Sequence, residues 1–224
     1  MSTEIELKFS VDGESAFDAL VRHLDLPTRE FHDTVHQVNH FFDTPSFSLH
    51  QGKVTLRLRE ENRRHLLTLK GAEEPRTADG VATQRIEVEV RLAPEMALDV
   101  LQGSISPRDA LAHGIADQNP RALELLDETI GSAELHYAGR FENRRTRLSP
   151  INVDLEGREV QINFELDTVT FGPDRIDHEI EVEVTSEVNV EHLYSHLVRM
   201  LEEAGITWRP ALSKAQRFFE RVQK

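Results

Sequence analysis

Residues 177–184 read Asp177-His178-Glu179-Ile180-Glu181-Val182-Glu183-Val184. Charged and apolar residues alternate with period two, the spacing of a β-strand whose faces meet different surroundings. One face carries Glu179, Glu181 and Glu183 in succession. Like charges brought side by side on a sheet repel on the order of 0.2–1 kcal/mol each, so this face needs opposite charge beside it. The partners stand in other segments with the same period. Glu4, Glu6 and Lys8 alternate with Ile5 and Leu7; Arg57 and Arg59 with Leu56 and Leu58; Thr68 and Lys70 with Leu67 and Leu69. Arg85, Glu87 and Glu89 alternate with Ile86, Val88 and Val90, Arg145 and Arg147 share a face, and Glu165 and Asp167 flank Leu166. The pattern predicts strands at Thr3–Phe9, His36–Asp43, Val54–Glu60, His65–Lys70, Thr83–Val90, Gly139–Arg147, Val160–Asp167 and Asp177–Val184. Eight strands are enough to close a sheet on itself.

Helical spacing occurs between these runs. Glu14–Leu26 places Phe17, Leu20, Val21 and Leu24 on one face, and Val190–Ala204 does the same with Leu193, Leu197, Val198 and Leu201 before Gly205. Short helical pieces broken by Pro94, Gly103, Pro107, Gly114 and Pro120 fill Ala93–Gly131, Glu73–Gly80 reads as a loop, and Ala211–Val222 reads as a terminal helix after Pro210. Strands in sequence order with helices inserted predict a mainly β protein with peripheral helices (α+β), an antiparallel barrel in one domain spanning 1–224.

Composition narrows the function. The chain has 224 residues, 26 Lys plus Arg against 40 Asp plus Glu, and a net charge of −14. Such a field repels nucleic acid and anionic lipid, so any anion must be held by a local basic cluster or through metal. Cysteine is absent, which removes disulfides, thiolate catalysis and zinc ribbons. There is no apolar run of transmembrane length, and MSTEIELK has acidic residues where a secretory leader needs basic ones. The expectation is a cytoplasmic protein with neither nucleic acid nor membrane as partner. His192 and His196 stand at i, i+4 with no third ligand evident, and read as a surface pair. His32, His36 and His40 straddle a loop and a strand, so their period reads as accidental. Gly71 and Gly80 flank a loop without a phosphate-loop or dinucleotide fingerprint. Trp208, Phe218 and Phe219 read as packing for the last helix.

Two arrangements fit the alternation. The charges either coat the outside of a barrel with an aliphatic interior, or point inward while the aliphatic phase meets the helices. Unpaired charges inside a small barrel cost several kcal/mol per ion, against a total stability of roughly 5–15 kcal/mol. The second arrangement therefore requires a wet, charge-balanced cavity for an ionic ligand. Interleaved Arg/Lys and Glu/Asp complement a polyphosphate with divalent metals: guanidinium forks and ammonium groups grip phosphate oxygens, and clustered carboxylates hold Mg²⁺ or Mn²⁺.

The series Glu4-Ile5-Glu6-Leu7-Lys8, His40-Phe41-Phe42-Asp43-Thr44-Pro45, Leu56-Arg57-Leu58-Arg59, Leu67-Thr68-Leu69-Lys70, Arg85-Ile86-Glu87, Phe141-Glu142-Asn143-Arg144-Arg145, Glu179–Glu183 and Ser213-Lys214 resembles the CYTH superfamily, the triphosphate tunnel metalloenzymes, with ExExK at its start. The spacing is most similar to the bacterial inorganic triphosphatase branch, in which a helical CHAD domain often follows; this chain stops before one. The resemblance implies an eight-stranded antiparallel closed barrel forming a charged tunnel. It implies divalent-metal-dependent hydrolysis of inorganic triphosphate to pyrophosphate and phosphate, with Mg²⁺ or Mn²⁺ in a two-metal site. By resemblance Lys8, Arg57, Arg59, Lys70, Arg85, Arg145 and Lys214 hold the substrate, and Glu4, Glu6 and Lys8 are central to catalysis. Glu4, Glu6, Glu181 and Glu183 ligate metal, with Glu87 and Glu165 in support; Glu165 stands where the family more often has Asp. Glu89, Glu179, Arg147 and Asp167 share the strand phase. Thiamine triphosphatase and class IV adenylate cyclase, within the same family, and a non-catalytic polyphosphate-binding module are the competing readings.

Overall fold

The computed structural model describes residues 2–28, 32–72, 74–115, 120–155, 157–184 and 188–223, with side chains from Ile5 onward. The strands are β1 (Ser2–Val11), β2 (Asp33–Asp43), β3 (Thr55–Glu61), β4 (Arg64–Lys70), β5 (Glu74–Pro75), β6 (Ala82–Leu92), β7 (His136–Arg147), β8 (Ile151–Leu155), β9 (Arg158–Thr170), β10 (Ile176–Val184) and β11 (Trp208–Pro210). The helices are α1 (Glu14–His23), α2 (Ser48–Gln51), α3 (Pro94–Gln102), α4 (Pro107–Ile115), α5 (Pro120–Ile130), α6 (Val190–Glu203) and α7 (Lys214–Val222). Among the described residues no helix is long and apolar enough to cross a membrane.

Eight strands run β1-β10-β9-β7-β2-β3-β4-β6, and β6 pairs back onto β1 to close the barrel, every pairing antiparallel. The register sets opposite charges together on part of the wall and acids together on β10, where Glu6 faces Glu183, Glu181 faces Glu165 and Glu179 faces Asp167. Lys8 faces Glu181 across β1–β10, Asp167 faces Arg145 and Glu165 faces Arg147 across β9–β7, and Lys70 faces Glu87 across β4–β6. Local chemistry fixes this register at the β3–β4 hairpin, where Asn62 and Arg63 both take positive φ, 47° and 62°. Two left-handed residues make the tight turn whose twist matches the flanking strands, and asparagine tolerates it.

The apolar phase faces outward, under the helices. Ile5, Leu7, Phe9, Leu166, Ile180 and Val182 pack with Phe17 and Leu20 of α1 and Leu193 and Leu197 of α6. On the opposite wall Leu56, Leu58, Leu67, Leu69 and Val88 pack with Val100 of α3, Leu111 of α4 and Leu126 of α5. The charges therefore point in. A third cluster lies in the inward phase itself: Phe41, Phe141, Val169 and Phe171 meet Phe218 and Phe219 of α7, with Phe41 and Phe218 stacked at 4.8 Å. That aromatic layer seats α7 across the barrel.

Several element boundaries differ from the sequence expectation. The terminal helix starts at Lys214 rather than Ala211, because Ser213 and Gln216 form a reciprocal capping box. Residues 151–155 form β8, a hairpin partner of β9. Trp208 packs edge-on against Phe9 at 5.2 Å and against Tyr194, on the β1–α6 side of the barrel, not on the last helix. Phe218 and Phe219 do pack the last helix. The three histidines at period four have separate partners, His32 the Pro27 carbonyl, His36 Glu142, and His40 both Tyr137 and Glu60.

Candidate functional site

A cavity of about 390 Å³ occupies the barrel interior. Glu6 and Lys8 reach it from β1, Arg57 and Arg59 from β3, Lys70 from β4, Arg85 and Glu87 from β6, Arg145 from β7, Glu165 from β9, Glu181 and Glu183 from β10, and Lys214 from α7. These are the residues singled out from the sequence, apart from Glu4, whose side chain lies outside the described residues; its backbone faces Arg85 at the β1–β6 closure. Of those sharing only the strand phase, Glu89 and Arg147 line the cavity, whereas Asp167 and Glu179 are fully buried beneath it.

The charges are cross-linked. Arg85 donates to Glu6 at 2.5 Å, Lys8 lies 3.3 Å from the same carboxylate, and Lys70 pairs with Glu87 at 2.6 Å. Arg145 grips Asp167 in two bonds of 2.8 and 2.6 Å, donates to Glu181 at 2.6 Å and pairs with Glu165. The Lys214 ammonium sits among three carboxylates, 2.8 Å from both Asp167 and Glu181 and in contact with Glu179. Arg217, one turn further along α7, pairs with Glu179 and, at 2.6 Å, with Asp177.

Burial and neighbours set the protonation of these groups. Burial raises Glu6, but Arg85 and then Lys8 outweigh it and hold the carboxyl well below its usual range. Burial and the adjacent Glu6 push Glu181 up to about 8, against Arg145. The two neighbouring carboxylates are thus shifted in opposite directions, Glu6 down and Glu181 up. Asp167 stays ionised because Arg145 and Lys214 overcome its burial. Lys214 is lowered to about 7 by burial, with Asp167 opposing. Arg145 is raised by Asp167 and Glu165 in spite of burial. Burial and Arg59 lower Arg57 to about 9, and burial and Arg145 lower Arg59.

Sequence reasoning did not single out Glu61 and Arg64, which face each other across the β3–β4 turn and line the cavity. Continuing the phase of Arg57 and Arg59 by two residues finds Glu61. It also passed over the interior amides. Asn143 donates to Gln37 at 2.9 Å and to Asp167 at 3.0 Å, Gln37 donates to Glu61 at 2.5 Å, and Asn39 accepts from Arg59 at 3.0 Å. Asp43 of the His40–Pro45 run serves α2, accepting backbone N–H bonds from Thr44, Leu49 and His50.

The match to known proteins follows this geometry. The CYTH domain model matches residues 2–219. The chain belongs to the CYTH family. A provisionally named triphosphatase, YjbK of Bacillus subtilis (strain 168), is 41% identical over 71 residues, which span 31% of this chain and 36% of that relative. Among solved structures, HpAC1 of Hippeastrum, a provisionally named adenylyl cyclase reported to have a dominant triphosphatase activity, is 26% identical with a TM-score of 0.72. It covers 97% of this CYTH chain and 96% of its own. A provisionally named adenylate cyclase of Bacillus halodurans, bh2851, is 25% identical with a TM-score of 0.63, covering 98% and 100%.

The carboxylates offer oxygen donors only. Asp167, Glu179 and Glu181 bring oxygens within 4.8 Å of one another around the Lys214 ammonium, which already fills that group, and Glu6, Glu165 and Glu183 line the cavity above. A donor set without thiolate or imidazole suits a hard cation such as Mg²⁺ or Mn²⁺.

Proposed function

We propose that the tunnel hydrolyses inorganic triphosphate to pyrophosphate and phosphate with Mg²⁺ or Mn²⁺ bound, two ions per site. The observation that carries this reading is the cavity inside the closed barrel, whose described lining interleaves nine Lys and Arg side chains with seven Glu in a molecule whose net charge is −14. An enclosed basic lining is suited to a small polyanion, and enclosure strengthens each of its electrostatic contacts. Membership of the CYTH family and the activities named for YjbK and HpAC1 support the same class of substrate.

Each residue has a role set by its position. Arg57 and Arg59, Lys8 and Lys70, Arg85 and Arg145, and Lys214 from the α7 side would hold the phosphoryl oxygens. Glu4, Glu6, Glu181 and Glu183 would hold the metal ions, with Glu87 and Glu165 in support. Bound divalent ions supply charge neutralisation on the phosphoryl groups and acidify water at neutral pH. Arg145 draws Glu165 and Glu181 together from neighbouring strands through its contacts with both. Lys8 and Arg85 keep Glu6 ionised. Catalysis on this plan is positioning and electrostatics, with no covalent intermediate.

A cyclase or a thiamine triphosphatase must also place an organic group. Among the described lining residues the aromatic rings are Phe41 and Phe141, both committed to the cluster under α7, which favours a substrate of phosphate alone. Phosphate release from tripolyphosphate, ATP and thiamine triphosphate, with and without divalent metal, tests the assignment. Metal-dependent turnover greatest on tripolyphosphate is expected. Preference for either organic triphosphate moves the assignment within the family, and tripolyphosphate binding without turnover makes the chain a binding module.

A further inference from the structure

Among the described residues six arginines line the tunnel, and their surroundings divide them. Arg85 is held by Glu6 at 2.5 Å, Arg145 by Glu181 at 2.6 Å and by Asp167, and Arg147 by Glu61 at 3.2 Å. Arg64 is exposed at the turn. Arg57 and Arg59, neighbours in phase on β3, have no described carboxylate within ion-pair distance. The side-chain contact of Arg57 is Thr68 at 3.5 Å, and that of Arg59 is the Asn39 amide at 3.0 Å. Arg57, buried, and Arg59, half-buried, are thus the inward-facing guanidinium groups that no described carboxylate holds in direct contact, Glu87 and Glu89 acting on the first and Glu61 on the second only from further off.

Asn39 is unusual in its strand. Between Val35 and Phe41 the inward phase of β2 is Val35, Gln37, Asn39 and Phe41, without a charge, whereas the other barrel strands carry ionised residues in that phase. Asn39 stands opposite Arg59 on β3 and Phe141 on β7 and is 1% exposed. Its Oδ1 accepts from Arg59 Nε, while its own Nδ2 is buried without a partner. An aspartate would accept the same bond and leave no orphaned donor, but it would neutralise Arg59. The amide accepts the bond and leaves the charge in place.

We infer that Asn39 is a positioning residue for anion capture: it ties Arg59 Nε to the β2 wall, so that the terminal nitrogens of the fork face the tunnel with their charge unneutralised. A guanidinium presents its donors in one rigid plane, so fixing the Nε edge fixes the direction of the rest. The ligand chemistry is a phosphoryl group with at least two anionic oxygens, the match for a bidentate fork. The inference rests on the triphosphatase reading above and adds to it the residue that aims the grip.

The test compares Asn39→Asp and Asn39→Ser with the intact chain, using tripolyphosphate and Mg²⁺ as the probe. Asn39→Asp keeps the hydrogen bond and pairs the charge. KM should rise about tenfold or more, with kcat within about threefold and an equal or higher melting temperature. Asn39→Ser loses the tether, and KM should rise by a smaller factor at a similar melting temperature. A merely structural Asn39 predicts the opposite for the aspartate variant, a stabilised protein with unchanged KM, and that result overturns the inference. If Asn39→Asp does not fold, the serine variant decides, and an unchanged KM there overturns the inference equally. Failure of the parent chain to turn over tripolyphosphate counts against the triphosphatase reading itself, which separates the two failures.

Discussion

Glu6 sits beside the seam where β6 closes onto β1, and its carboxylate holds both Arg85 and Lys8. Removing one partner of a buried ion pair leaves the other charge uncompensated, at a cost of about 3–5 kcal/mol. Glu181 differs, because burial and Glu6 raise its pKa whereas Arg85 and Lys8 hold Glu6 ionised, so an amide there replaces a charge the fold favours less. Glu6→Gln should therefore lower the urea midpoint far more than Glu181→Gln, while both abolish triphosphate turnover. Equal midpoints would show that the Glu6 charge is dispensable to the fold, and near-normal rates in both variants would defeat the ligand assignment. His40 gives a pH dependence. It is 6% exposed, bonded to Tyr137 and Glu60, and burial holds its pKa below the ordinary 6.5 in spite of Glu60. The fold favours the neutral ring, so the unfolded chain takes up the proton first as pH falls. The contribution is full above about pH 6.5 and is lost as pH falls from there towards the folded pKa. Between pH 7.5 and 5.5 the parent should lose more stability than His40→Gln; parallel losses in chemical denaturation would refute this. Residue by residue, the charged side chains could be read from the sequence, because a Glu or Arg at every second position fits little besides a strand with one ionic face. Gln37, Asn39 and Asn143 could not, since a neutral amide in a strand is as compatible with the surface as with the lumen.

Helix α4 lies against β6 through a glycine. A Cβ at Gly114 would come within 2.8 Å of Val90 Cβ, so the helix can reach this close only without a side chain there. Alanine is the better helix former by about 1 kcal/mol, yet overpacking at a rigid strand costs about 1–3 kcal/mol. Gly114→Ala should therefore destabilise the protein, and a rise in melting temperature would show that α4 can slide outward freely. On α7 the seat is ionic as well as aromatic. Arg217 is buried against Glu179 and Asp177, with its guanidinium 5.4 Å from the centre of the Phe171 ring. Arg217→Ala leaves Glu179 without one of its two cations and should cost about 3–5 kcal/mol by denaturant titration; a loss below about 1 kcal/mol would mean that Lys214 alone suffices. The amphipathic helices were readable because their apolar faces repeat over three turns or more. The start of α7 was misplaced because Ala211 and Leu212 continue the apolar run, while the Ser213 cap decides where the helix begins. β8 shows the same alternation, Ile151, Val153 and Leu155 against Asn152 and Asp154, but over five residues only and without the recurrent paired charges that mark the barrel strands.

At the scale of the molecule, the acid surplus lies outside the lumen. The chain carries −14, yet among the described residues the cavity wall has nine basic side chains to seven acidic ones. Alternation alone left the direction of the charged face open, because period two is the same inside out. The helices decided it, since α1, α6 and α3–α5 needed the Leu/Ile/Val phase that the sequence placed opposite the charges. The charges around the lumen nearly cancel once Asp167 and Glu179, which hold Arg145 and Lys214, are counted with the lining, so the bare triphosphate anion would leave negative charge uncompensated among buried carboxylates, and a divalent ion alone would meet Arg57 and Arg59 without an anion between. Each ligand should favour the other. Ligands that bind only the folded state stabilise it by mass action, about 2.7 kcal/mol at a hundred times Kd. Tripolyphosphate and Mn²⁺ or Mg²⁺ together should raise the melting temperature by more than the sum of their separate shifts, with Glu6→Gln reducing the excess. Strictly additive shifts would mean that metal and phosphate occupy independent sites, and the charge-balanced tunnel would then not be where they meet.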